Sequence, residues 1–292
     1  MRSMRVVAFA VSGMLLFGVL AFAAEPRPVR PSYNHFTDGD EERIGAAMAQ
    51  KIEKEGVRVP GPDGRPETAR IQRNMLLETY LESIASKLGQ ASRRPEISYT
   101  VRVIDAPNIA NAMSIPGGHI YIYSGLLEFV RTEGELSAVL SHEIGHVVGR
   151  HAMNRIARLG MVVDLIDQAR EANVIKDDQM AQKIADFALP ILSEVDARTT
   201  YSRNEETEAD LLGFYEMERA GWNPKGEVEL LGHLVKLSPK HGPLATFIST
   251  HPDTAERLAI VEQEYKAAEV PSGLRDDSLQ FRTMKIGLSL GR

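Results

Sequence analysis

His142, Glu143 and His146, two histidines four residues apart with a glutamate beside the first, are the residues of this chain best placed to do chemistry together. On an α-helix successive residues turn by about 100°, so positions i and i+4 differ by only about 40° and both imidazoles reach one point in space. Two neutral imidazoles converging on a point make a seat for a divalent metal. Glu143 projects next to them, where a carboxylate takes a proton from metal-polarised water. The flanks call for a helix largely buried in a core, because Leu136, Val139, Leu140, Ile144, Val147 and Val148 recur at three- and four-residue steps. Paired histidines also occur as ordinary core residues, but a buried glutamate between them needs a partner charge or a metal.

A catalytic zinc ion takes three protein ligands and leaves one position open. The third is expected in YSRNEETEADLLGF, Tyr201 to Phe214, where Ala209, Leu211, Leu212 and Phe214 mark another amphipathic helix. Glu206 is placed to ligate the metal. Asp210, one turn on, is placed to accept a hydrogen bond from a ligand histidine and fix its tautomer. By spacing alone Glu205 or Glu208 competes for the ligand role; otherwise both belong to a solvated helix face. Two imidazoles and one carboxylate leave zinc net positive, enough to move the pKa of a bound water from about 15.7 toward about 7, with Glu143 as general base. A second donor for the oxyanion would come from His251, His151, Tyr201 or Arg203. His151 lies about 500° beyond His146 on a continuous helix, so it should point away from the metal face and serve a structural or supporting role.

Four motifs follow one another in order: NAMSIPGGHIYIYSGLL from Asn111 to Leu127, HEIGH, SRNEETEAD, and STHPDTAERL from Ser249 to Leu258. In them the chain resembles the gluzincin metallopeptidases of the CAAX prenyl protease and HtpX group, which include soluble, BepA-like periplasmic proteases. The resemblance spans roughly Asp38 to Glu264. It implies one zinc per chain held by His142, His146 and Glu206, with Asp210 behind the ligands and Glu143 catalytic. It also points to Asn111 as a side chain holding substrate backbone, where turn chemistry is the plainer alternative. His251, in the His-Pro element, is placed near the metal with two roles open: donating to the transition-state oxyanion, or capping the open zinc position and holding the enzyme off. The implied activity is an exported zinc-dependent endopeptidase acting on misfolded or misassembled cell-envelope proteins. The alternatives are a chaperone-like envelope assembly factor of the same fold with weak or autoinhibited proteolysis, and a HEIGH helix that is merely structural.

The elements that must position these groups follow from periodicity and turn chemistry. Helices are expected over Asp38 to Glu55 and Glu67 to Gln90, separated by the loop VPGPDGRP from Val59 to Pro66. Ile97 to Ile104 alternates as a strand. Ala112 to Ile115 and Ile120 to Tyr123 form a hairpin through Pro116, Gly117 and Gly118, whose edge offers an extended peptide its backbone hydrogen bonds. Leu159 to Asp196 reads as two helical segments, broken near Asn173 to Asp178 and at Pro190, that pack as core or cover the cleft. Gly221 ends the Glu206 helix, and a last helix covers Thr254 to Lys266. The fold class is α+β: a helix-dominated, zincin-like metallopeptidase domain with a small β-sheet and hairpin. The expected division is a signal peptide at 1–24, a Pro-rich leader at 25–37, the metallopeptidase domain at 38–269 and a polar C-terminal tail at 270–292.

Composition narrows location and partners. Two arginines in Met1 to Arg5, the apolar run Val6 to Phe22 and the small residues that end it read as a cleavable secretory signal, hence a periplasmic protein, with an uncleaved anchor as the alternative. The 292 residues contain no cysteine, which excludes a lipoprotein anchor, disulfides and a thiolate metal site. A net charge of −6 without a basic run argues against nucleic-acid binding. The expected partners are polypeptide substrates bound in extended form, with outer-membrane or other envelope assembly proteins as a further class. No helical-repeat array follows the peptidase unit to serve as a dedicated partner module.

Overall fold

The computed structural model describes residues 25–28, 30–31, 33–61, 65–158, 177–193, 201–237 and 243–290. The expected signal segment and the first half of the helical pair between the two metal motifs lie outside them.

Helix α1, Asp38–Glu55, starts where Thr37 and Asp40 exchange side-chain and backbone hydrogen bonds in a capping box. It buries Ile44, Met48 and Ile52 along one stripe. The chain then departs from expectation. β1, Val57–Pro60, pairs antiparallel with β2, Pro66–Ala69, and β3, Ile71–Gln72, joins the main sheet. Helix α2, Met75–Ala91, therefore begins at Met75 and not at Glu67, because Asn74 accepts the Leu77 N–H and sets the start. Proline at 66 and the β-branched Thr68 and Ile71 favour extended backbone before it.

β4, Thr100–Ile104, β5, Ala112–Ile115, and β6, His119–Tyr123, complete a four-stranded sheet in the order β3-β4-β6-β5. β4 and β6 run parallel and the other pairs antiparallel. The expected hairpin is present: β5 and β6 are joined by a 3-10 turn at Pro116–Gly118, and β5 forms one edge of the sheet. Alternation along the strands splits the core in two. Val101, Val103, Ile120 and Ile122 join α2 and the helices beyond it, whereas Ile104, Ile115, Tyr121 and Tyr123 face α1.

The rest is helical: α3, Ser124–Phe129; α4, Glu133–Val148; α5, His151–Arg158; α6, Asp177–Ser193, which continues through Pro190; α7, Arg203–Ala220; α8, Lys225–Leu237; α9, Pro243–Thr250; α10, Thr254–Ala267; and α11, Leu279–Leu290. Helices thus dominate an α+β architecture. α4 and α7 meet backbone to backbone, because a Cβ at Gly145 would stand 2.6 Å from the Ala209 carbonyl oxygen. This close approach brings the HEIGH turn and the Glu206–Asp210 turn to the same level. The segment Val270 to Arg292, read as a polar tail, carries α11. Phe281 is buried in the main core, and Arg275 and Ser278 bond Glu133 at the start of α4.

Candidate metal centre

Four ligand-type side chains surround one point at the α4–α7 contact. His142 and His146 project from α4, Glu206 from the first turn of α7, and His251 from the turn between α9 and α10. One potential ligand atom of each lies within 4.8 Å of all the others, and all four residues are buried. The two Nε2 atoms of His142 and His146 are 3.0 Å apart, and the Glu206 carboxylate lies 3.7 and 3.5 Å from them. His251 directs Nδ1 into the same cluster, 3.2 Å from His142 Nε2 and 3.1 Å from Glu206 Oε1.

The surrounding hydrogen bonds decide which nitrogens carry protons. Asp210 Oδ1 lies 2.7 Å from His142 Nδ1, and two bonds from Arg257, Nη2 to Oδ1 at 2.6 Å and Nε to Oδ2 at 2.7 Å, keep that carboxylate ionised. Burial opposes ionisation of Asp210, yet the Arg257 guanidinium overrides it and leaves the carboxyl at about 2. Asp210 can then only accept, so His142 donates from Nδ1, and the neutral ring is left with its Nε2 lone pair toward the cluster. His146 Nδ1 is likewise engaged, 2.8 Å from His151 Nδ1, and burial holds His146 well below the usual imidazole range. Burial alone would raise Glu206, but His251 and the Arg257 guanidinium facing it hold it well below the usual carboxylate range. Two lone pairs 3.0 Å apart beside a carboxylate repel one another unless a cation lies between them. A metal ion therefore fits the groups present, and nitrogen and oxygen donors without sulfur suit zinc.

Residues 75–265 match the description of Peptidase family M48. The chain belongs to this family. Among curated relatives, it is 28% identical over 191 residues to the mitochondrial metalloendopeptidase OMA1 of Schizosaccharomyces pombe, covering 65% of this chain and 54% of that one. It is 28% identical over 187 residues to metalloprotease LoiP of Escherichia coli, covering 64% and 70% respectively. With the beta-barrel assembly-enhancing protease of Yersinia pestis it shares 21% over 257 residues, 87% of this chain and 52% of the other. The chain spans about half or less of the length of the first of these relatives, the OMA1 proteins.

Within this M48 centre the remaining expected residues fall at different distances. Glu143 is buried, with neither carboxylate oxygen hydrogen-bonded among the described residues, and His251 Nε2 stands 3.7 Å from its Oε1. Tyr201 stacks on the His146 ring with centroids 4.0 Å apart. Asn111 is buried just before β5, where its Oδ1 accepts from Thr250 Oγ1 at 3.2 Å, one residue before His251. Arg203, an oxyanion candidate, is not brought in: its exposed guanidinium pairs with Asp253 at 2.7 Å and Glu256 at 3.4 Å. Glu205 does not sit on a solvated face, since it caps α7 against Ser202 and pairs with Arg158. Glu208 is no solvated bystander either; it bonds His151 at 2.9 Å. Arg257 was not anticipated as a site residue. Besides Asp210 it reaches Glu206 Oε2 at 2.7 Å, and only its place shortly after the His-Pro element signalled it.

Proposed function

We propose that the protein is a zinc-dependent endopeptidase that hydrolyses peptide bonds in misfolded or misassembled cell-envelope proteins. The observation that carries the reading is the convergence of two imidazoles and an ionised Glu206 beside Glu143, a buried carboxylate whose oxygens accept no hydrogen bond among the described residues. His142, His146 and Glu206 would hold one zinc ion, which supplies a Lewis acid for the scissile carbonyl and acidifies water. Glu143 takes the proton of the attacking water and returns it to the leaving amine. Asp210 and Arg257 keep His142 and Glu206 in place, and the β5 edge receives the substrate as an added strand, with Asn111 near its entry. The envelope setting draws support from the signal-like leader and from relatives named beta-barrel assembly-enhancing protease. The described residues include no helix long and apolar enough to cross a membrane. On this reading 1–24 is a cleaved signal, the peptidase unit runs from residue 38 and takes in the helix Leu279–Leu290, and the mature protein is periplasmic.

The position of His251 favours the capping role over the oxyanion role. Its Nδ1 points into the ligand cluster, while its Nε2 stands 3.7 Å from Glu143 Oε1. The resting enzyme is then held off until this side chain swings out. Glu143→Gln separates peptidase from assembly factor: zinc content should stay at one per chain while cleavage of an unfolded envelope protein falls by at least about 100-fold. An envelope phenotype fully rescued by Glu143→Gln would overturn the peptidase reading in favour of the assembly factor. His251→Ala should speed cleavage if the residue caps the metal. Slower cleavage in that variant would make His251 an oxyanion donor.

A further inference from the structure

Helix α4 ends at Val148, and the way it ends brings a histidine back to the site. Arg150 adopts φ 56, a left-handed conformation that non-glycine residues rarely take. It is held there by ion pairs to Glu41 and to Asp38, the latter at 2.7 Å, and Asn154 bonds the Gly149 carbonyl at 3.2 Å. The reversal starts α5 at His151 and lays its ring against His146. A Cβ at Gly149 would collide with that ring. His151 is buried, with Nδ1 2.8 Å from His146 Nδ1 and Nε2 2.9 Å from Glu208 Oε2. A carboxylate at Glu208 only accepts, so a neutral His151 carries its proton on Nε2 and offers Nδ1 as acceptor to a proton on His146 Nδ1.

We propose that His151 and Glu208 are a positioning pair for His146, fixing its tautomer and ring plane so that Nε2 faces the metal. The proposal rests on the zinc reading above. His142 then has a carboxylate directly behind it and His146 has one behind an intervening imidazole. Both carboxylates stand on the helix that also carries Glu206, at every second position from Glu206 to Asp210. Partners of this kind orient ligand histidines, and their loss typically costs about 10- to 100-fold in metal affinity.

The test measures zinc affinity of the full-length protein by competition with a chromophoric chelator. It adds nitrogen-15 spectra of the zinc-loaded protein that report which nitrogen of His146 carries the proton. His151→Leu keeps apolar volume and removes the acceptor, so affinity should fall about 10- to 100-fold. His151→Asn, whose Oδ1 stands as far from Cβ as the imidazole Nδ1, should recover most of the loss. Glu208→Ala, at a partly exposed position that tolerates truncation, should weaken zinc by less and leave affinity unchanged when added to His151→Asn. Affinity of His151→Leu or Glu208→Ala equal to wild type would overturn the pair, as would His151→Asn as weak as His151→Leu, which would leave packing alone. Wild-type protein that takes up no zinc would instead bring down the metal reading itself.

Discussion

At the residue scale, the molecule's buried carboxylates divide by whether anything faces them. Asp210 and Glu206 are ionised because Arg257 spans both. Glu216 on α7 is buried with neither oxygen hydrogen-bonded among the described residues, and burial pushes its carboxyl well above the usual range. The folded protein therefore keeps a proton that the unfolded chain releases near about pH 4.3, so stability falls as pH rises through the interval between the two values. Glu216→Gln should remove that slope. Thermal unfolding should find the variant more stable than wild type at alkaline pH, with the gap closing toward about pH 4 at up to about 1.4 kcal/mol per pH unit. Site residues were legible where function sits in local spacing: His142, Glu143 and His146 on one turn, Glu206 and Asp210 on another. Arg257 and Glu208 were not, because what makes them matter is a partner from a distant helix. His151 was misdirected for a simpler reason, since the 500° rotation assumed a helix that Arg150 interrupts.

The centre depends, at the scale of elements, on how closely α4 and α7 approach. Gly145→Ala would set a methyl 2.6 Å from the Ala209 carbonyl, against backbone that cannot rotate aside. The expected result is about 1–3 kcal/mol of destabilisation by denaturant unfolding, with zinc bound more weakly because Glu206 and Asp210 retreat with α7. Turn residues disclosed the β5–β6 hairpin, and three- and four-residue spacing disclosed α1 and both ligand helices. The start of α2 was misread, because the apolar residues before Met75 satisfy a helical period while Asn74 and the strand partners of β2 and β3 decide otherwise. Pairing in a sheet is a tertiary fact, and a window of sequence does not contain it.

For the molecule as a whole, the metal site joins segments that are far apart along the chain. Stripping zinc with a chelator should therefore lower the unfolding temperature, since an ion that binds only the folded state adds its binding free energy to stability. Unchanged unfolding after complete metal removal would deny zinc that role. Phe281→Ala is expected to cost about 3–5 kcal/mol, as befits a core aromatic in a segment whose composition reads as a tail. That segment also grips the catalytic helix. Glu133 in the first turn of α4 accepts from Tyr80 at 3.1 Å, Trp222 at 3.0 Å, Arg275 at 3.1 Å and Ser278, the last two more than 140 positions later in the chain. A nascent polypeptide emerging from its N-terminus has no such grip until Arg275 and Ser278 have been made. A chain that stops short of Arg275 therefore lacks two of the four side chains that bond Glu133 and seat the start of the HEIGH helix.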